Sequence, residues 1–414
     1  MHTGTSIAPR LAFLASCCVV AACSSTQNAG TGGAVAASAS PRAAPPSFAM
    51  ALLNADTGPI AALDEPAERG VRLAVGERER AHARDRRVAA PPALRIHDTM
   101  STREGAARAA AAALAPAADG TPAACVGFGI SDTDLALGGV PPFSKAGVPF
   151  LVLGATAPGL PYDCGTGTFL ACYSDDAQAR AAAEFAHGTL GTRTAIVFDS
   201  RSAFARTVSG YYRQRFRELG GNVVQEFDLA ATPAVQLGAF VAESIGRVDL
   251  VYVACEPGDV GPSIAAVRSV MPATPVVGAD SFDCEAVMRT AGRPSDRVWF
   301  TTHAWFGPGG TPEALAFAAA YERAYGAPPP NAFAALGYDA ANIVMDAVAK
   351  AASVNRPGNL VVIRDAIATT RNHRGASGTV DFRAGPIPAK DVWVVEVAQG
   401  TRRLARRVEP APAK

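Results

Sequence analysis

"VPFLVLGATAPGL", Val148 to Leu160, is a short apolar strand that runs into small residues, a single hydroxyl and a proline. Six apolar or small residues in succession mark a buried strand, and Pro158 forbids its ordinary continuation. Upstream, "ACVGFGI" (Ala124 to Ile130) is a second such run, followed by a helical pattern through Leu137. Strand, helix, strand is the repeating unit of a parallel α/β sheet, in which ligands bind outside the carboxyl ends of the strands.

The same alternation extends in both directions. "FAMALL" and "ALRIHD" read as strands, "PAERGVRLAVGERER" has helical spacing, and Ser101-Thr-Arg-Glu104 is a capping box opening an alanine-rich helix to Leu114. A second series follows the loop "CGTGTFLAC". Ser174-Asp-Asp caps a helix to Leu190, then come "TAIVFD", a helix stopped at Gly220-Gly221, "NVVQEFDL", a helix near Val235 to Ile245, "DLVYVAC", a helix to Val270, and "TPVVGAD". "RVWFTTHAWF" leads out to helices at Pro312 to Tyr325, Pro330 to Ala352 and Leu360 to Thr370, and the strands "GTVDF" and "DVWVVEV" close the body. Two α/β halves with a late return to the first predict two Rossmann-like lobes with parallel central sheets, joined by a multi-strand hinge. The boundaries expected are 47–170 plus 303–376 for one lobe, 171–302 plus 377–408 for the other, and a tail at 409–414.

At 414 residues the chain exceeds one core, with 49% hydrophobic and 18% charged residues and a formal charge of +1. That balance, without a basic block interleaved with aromatics, excludes nucleic acid as the main partner. Only "RRLARR", Arg402 to Arg407, is basic, and it reads as a solvated terminus.

Residues 1–23 are an address. Arg10 precedes "LAFLASCCVV", an apolar run well short of the ~20 residues a bilayer requires. Val20-Ala21-Ala22-Cys23 resembles the lipobox of bacterial lipoproteins, which implies a lipidated Cys23 as the mature N-terminus, and Ser24 lacks the aspartate that signals inner-membrane retention. Residues 24–46 are mostly Ala, Ser, Gly and Pro, a flexible tether with too little apolar surface to fold. The body is therefore expected outside the cytoplasm, where disulfides form. Cys164 and Cys172 are expected to staple a hairpin, and Cys255 and Cys284, each after a strand, to meet across neighbouring strand ends, leaving Cys125 odd. The six histidines are scattered and no Cys-x-x-Cys occurs, so no metal or cofactor is expected.

The strand ends carry the chemistry. After "ACVGFGI" stands Ser131, after "PFLVLG" stand Ala155 and Thr156, after "TAIVFD" comes Phe204, after "DLVYVAC" Glu256, and after "PVVGA" Asp280. The first lobe offers hydroxyls and helix N-termini that favour an anion, the second carboxylates and a ring that favour a cation with an apolar body. A zwitterion fits, its carboxylate on Ser131, Thr156 and open backbone N–H groups, its ammonium on Asp280 or Glu256.

"GVRLAV", "FSKAGVPFLVLGATAPGL", "FRELGGNVV", "FAALGYDAANIVMDAV" and "RGASGTVDF" occur in the order and at the spacings of the Leu/Ile/Val-type, or type I, periplasmic solute-binding proteins of ABC transporters, which the chain resembles over most of its length. The resemblance implies a monomer that binds a small solute such as an amino acid or amide between its lobes and hands it to a membrane permease. By position, Ser131, the Gly154–Pro158 loop and Asp280 match head-group contacts of that family, while Phe204 and Glu256 stand where tyrosines are usual. Catalysis is not expected, because neither a Gly-x-Ser-x-Gly elbow nor a phosphate loop is present. The rival expectation is an outer-membrane lipoprotein of the same fold that regulates a cell-wall synthase without transporting anything.

Overall fold

The structure, a computed structural model, describes residues 48–228, 239, 243, 246–289 and 297–410. Cys23 and its leader, the tether, the helix near Val235 to Ile245 and residues 411–414 lie outside them.

A first sheet of five parallel strands has the order β2-β1-β3-β4-β5, built from β1 (Ala49–Asn54), β2 (Ala93–Asp98), β3 (Ala124–Gly129), β4 (Phe150–Val152) and β5 (Thr168–Leu170). Its helices are α1 (Ala61–Arg84), α2 (Arg103–Ala113), α3 (Thr133–Lys145) and the short α4 (Leu160–Asp163). Strands β1, β3 and β4 are buried throughout, as expected of a sheet covered on both faces.

A second, seven-stranded sheet has the order β14-β13-β10-β9-β8-β6-β7. Its parallel part comprises β6 (Thr194–Asp199), β7 (Asn222–Asp228), β8 (Leu250–Ala254), β9 (Val276–Gly278) and β10 (Val298–Thr302), around helices α5 (Asp175–Glu184), α6 (Ala203–Glu218), α7 (Pro257–Val270) and α8 (Glu285–Arg289). The chain then forms α9 (Pro312–Tyr325), α10 (Phe333–Ser353), α11 (Leu360–Ala368) and the small hairpin β11 (His373–Gly375) and β12 (Gly378–Val380). It returns to the second sheet as the antiparallel pair β13 (Val392–Ala398) and β14 (Thr401–Val408).

Helix α10 docks on α1 through two glycines. A Cβ on Gly70 would lie 1.9 Å from Ala334 O, and one on Gly337 2.1 Å from Ala67 O, so the two backbones approach as only glycine permits. At the crossings between sheets, buried Lys390 donates from Nζ to Ala171 O (2.9 Å) and Ser377 Oγ (2.7 Å). Asp339 accepts the Ala376 and Ser377 N–H groups, which ties the hairpin to α10.

Several local expectations change. The cap of α2 is Thr102, whose Oγ1 accepts from Gly105 N, whereas Ser101 Oγ bonds Thr57 O and Ile60 N in a neighbouring loop. Helix α3 continues eight residues beyond Leu137 through Pro141 and Pro142, because Gly139 packs beside Leu53 and Ala106 and tertiary contact outweighs propensity. The segment between Cys164 and Cys172 is not a hairpin. It contains β5, parallel to β4, which separates the two thiols along the strand. Cys164 Sγ turns to Ala136 O and Cys172 Sγ to Ala155 O, and both are free. Cys255 and Cys284 are also free and buried, Cys284 facing the backbone N–H groups of Ala286 and Val287 rather than the other sulfur. Cys125 Sγ bonds Ala49 O, and burial pushes its thiol up to about 11. Finally, "RRLARR" is a paired edge strand, β14. The Arg402 and Arg407 guanidinium groups lie over the Phe300 and Trp393 rings and pair with Asp283 and Asp391.

Candidate functional site

The loops after β3 and β4 are locked to each other. Gly129 has φ 123° and Ile130 φ 67°, a left-handed conformation that is costly for a β-branched side chain. This turn aims Ile130 O at the next strand end, where it accepts from Gly154 N (3.1 Å) and Ala155 N (3.3 Å). The N–H groups expected to stand open at Gly154 and Ala155 are thus already used. Gly154 also has no room for a side chain, since a Cβ would lie 2.8 Å from the Phe333 ring and 3.2 Å from Ser131 Oγ.

Two polar clusters of opposite character occupy these strand ends. The first surrounds Thr156 and Asp280, both almost fully buried. Thr156 Oγ1 donates to Asp175 Oδ1 (2.7 Å), and Asp175 N donates to Thr156 O (2.8 Å), joining the end of β4 to the start of α5. Gln178 sits at the centre. Its Nε2 donates to Asp175 Oδ1 (3.0 Å) and Asp280 Oδ1 (3.3 Å), and its Oε1 accepts from Asp280 N (3.1 Å) and Thr301 Oγ1 (2.9 Å). His303 Nε2 lies 2.9 Å from Asp280 Oδ2, and its ring stacks on Tyr173 at 3.9 Å. A carboxylate can only accept, which puts the proton on Nε2. Burial lowers the His303 pKa and raises that of Asp175 to about 8.

The second cluster lies around Ser131 and Glu256. Asp132 caps α3, accepting from Leu135 N at 2.9 Å, and Asp134 Oδ2 accepts from Ala203 N at 3.0 Å, linking α3 to the first residue of α6. Asp64, fully buried on α1, accepts from Ala55 N through Oδ2 (2.8 Å) while its Oδ1 has no partner. The Ser131 hydroxyl sits beside that carboxyl without closing a hydrogen bond. Glu256, just before α7, approaches Asp132 and Asp134 from the other sheet, and its Oε1 is buried without a partner. Burial and the neighbouring carboxylates raise Asp132 and Glu256, and burial foremost raises Asp64 to about 7. Among the described residues none of Asp64, Asp132, Asp134, Glu256 or Asp259 pairs with an arginine or lysine.

Of the six residues singled out from sequence, Thr156 and Asp280 come together in the first cluster, and Ser131 and Glu256 in the second. Ala155 lies beneath them, its carbonyl taken by Cys172, and Phe204 packs into the core of the second sheet with Tyr212 and Val208. A cavity of about 410 Å³ opens beside the second cluster, lined by Pro59, Glu65 and Arg69 from one side and Pro257, Glu285 and Arg289 from the other. None of the six lines it, although Asp64 and Glu256 each precede a lining residue in sequence. Arg69 and Arg289 at this mouth are paired with Glu65 and Glu285 on their own helices. Sequence reasoning did not reach Asp64, Asp175 or Gln178. An aspartate inside the apolar start of α1, "IAALDEPA", was the one signal for any of them. Among the described residues no three His, Cys, Asp or Glu side chains are placed to hold a metal, and no helix is long and apolar enough to cross a membrane.

A family model described as periplasmic binding protein matches residues 48–402. No curated protein matches by sequence. Among solved structures, the leucine-binding protein LivK of Thermotoga maritima is 24% identical, covering 88% of this chain and 99% of its own, with a TM-score of 0.75. LivJ of Streptococcus pneumoniae, the branched-chain amino acid transporter substrate-binding protein solved with isoleucine, is 21% identical over 88% of this chain and 99% of its own, with a TM-score of 0.76. A solute-binding protein of an ABC transporter from R. palustris, solved with benzoate, is 20% identical over 89% and 98%, with a TM-score of 0.74. The fold expected from the motifs, two lobes with parallel sheets, is the one these proteins share.

Proposed function

The chain belongs to the periplasmic binding protein family, and from that premise we propose that it is a lipid-anchored, extracytoplasmic solute-binding protein. It captures a small polar ligand, an amino acid or amide-like relative, in the cleft between its lobes and delivers it to an ABC permease. Cys23 carries the anchor, and the lobes are 47–170 with 303–376 and 171–302 with 377–408. Ser131, Ala155, Thr156, Phe204, Glu256 and Asp280 are proposed to form or support the ligand site.

One observation carries this assignment. Polar side chains from both sheets meet at the carboxyl ends of their strands, and bonds such as Ala203 N to Asp134 Oδ2 run from one sheet's helices to the other's. A solute touching both sides adds to those bonds only in the closed state, so it stabilises closure in proportion to that difference. The crossings around Lys390 supply the hinge.

Thermal-shift screening of the full chain against amino acids, amides, short organic acids and polyamines tests the proposal. A ligand at about 100 times its Kd stabilises by about 2.7 kcal/mol. If no compound raises the Tm while the chain captures a cell-wall synthase, the transport assignment is wrong and the regulatory one takes its place.

A further inference from the structure

Resting on the solute-binding assignment, we propose that Asp64, Ser131 and Asp132 on one side and Glu256 on the other form a cation subsite, which takes an ammonium or guanidinium group of the solute.

Three observations converge on it. Carboxyl groups arrive from both lobes, Asp64 and Asp132 from one and Glu256 from the other, with Asp134 and Asp259 behind them. Each half keeps a polar atom in reserve: Asp64 Oδ1, the Ser131 hydroxyl and Glu256 Oε1 are buried with no hydrogen-bond partner, Ser131 being only 8% exposed. No arginine or lysine of the described chain neutralises them, and the two arginines at the cavity mouth are already paired. Burying unpaired carboxyl groups is unfavourable, and here a group supplied from outside would complete them.

The chemistry points to an organic cation. A carboxylate on Ser131 would face Asp64 and Asp132, a like-charge contact. A metal ion would need three of these side chains within coordination distance, and among the described residues no such group exists, whereas an extended organic cation can meet them one or two at a time. Asp280 does not compete for the charge, because its Oδ1 and Oδ2 are held by Gln178 and His303. The groups facing Glu256 are Asp132 and Asp134 from α3, Asp259 from its own helix and the Ser202 hydroxyl before α6. Those facing Asp64 are Asp56, Ser131 and Asp132. A cation among them favours their ionised forms, so its binding expels protons and tightens as pH rises toward 8.

The test is calorimetric titration of the full chain at pH 7.5 with agmatine, putrescine, L-leucine and benzoate, repeated in buffers of different ionisation enthalpy. Agmatine or putrescine is expected to bind with proton release, and E256Q to weaken it at least tenfold while the unliganded Tm holds or rises. D64N provides a second variant should E256Q misfold, with the same expected loss. Leucine or benzoate binding that is tighter than either amine and indifferent to E256Q overturns the cation subsite and leaves the solute-binding assignment standing. Silence from all four probes also overturns it, and the wider thermal-shift panel then decides the solute-binding assignment on its own.

Discussion

The two polar clusters at the strand ends make an instructive pair. Around Gln178, buried donors and acceptors meet: the amide serves Asp175, Asp280 and Thr301, and His303 closes the remaining side of Asp280. Around Ser131, carboxyl groups meet carboxyl groups; Asp64 Oδ1, Ser131 Oγ and Glu256 Oε1 are left without a partner there, as are Asp175 Oδ2, His303 Nδ1 and the Tyr173 hydroxyl around Gln178. The same sheet edges thus carry one network joined by amide, hydroxyl and imidazole donors, which ties the end of β4 to those of β9 and β10, and one made chiefly of acceptors that face one another. The supply of donors therefore separates the two clusters, since both are buried and both keep some polar atoms without a partner.

Substitutions can break this contrast. The largest effect is expected at Gln178. Gln178→Ala strands Asp175, Asp280 and Thr301 together, and urea unfolding should show a loss of about 3 kcal/mol or more. A loss under about 1 kcal/mol would mean that the network does not hold these strand ends together. Glu256→Gln should act with the opposite sign, stabilising the unliganded chain by about 1 kcal/mol at pH 8 because a buried acid with carboxylate neighbours becomes neutral.

The pH profile sharpens the same point. A carboxyl group whose pKa is raised on folding binds its proton more tightly in the folded chain, so its stabilising contribution is complete below the unfolded value near ~4 and is lost as pH climbs through the folded value. With Asp64 at about 7 and Asp175 at about 8, stability of the unliganded chain should fall between those limits, and D64N should flatten the fall. Stability that rises across that window would contradict the placement of these acids. The smallest effect is expected at Asp134→Ala, which removes one bond to Ala203 N and should weaken ligand binding about fivefold, for about 1 kcal/mol, with little change in unliganded stability.

Much of the fold was legible because parallel strands buried on both faces read as unbroken apolar runs, as in "ACVGFGI" and "PFLVLG". Strand β5 escaped because three residues between two cysteines carry no period, and the nearby thiols suggested a staple instead. Strand β14 escaped because its arginines lie along aromatic rings, an arrangement that composition alone presents as a solvated tail. At the site Ser131 meets Glu256 and Thr156 meets Asp280, whereas position after a strand end grouped Ser131 with Thr156 for an anion and Asp280 or Glu256 for a cation. It did not reveal that Thr156 and Asp280 are already engaged, because Gln178 is an ordinary residue in a helix's first turn and reaches its partners only through the tertiary fold. Phe204 is packed inward for a related reason: the start of α6 turns its ring into the core of the second sheet, where it can support the site only from behind.

The central claim is that a cation joining the facing carboxyl groups favours the closed arrangement at a pH where those groups ionise. Small-angle X-ray scattering of the full chain at pH 8, with and without saturating agmatine, measures this directly. The account predicts a smaller radius of gyration with agmatine for the wild type and little change for E256Q, which lacks one of the facing carboxyl groups. An unchanged radius in the wild type, or the same contraction in both proteins, would contradict it.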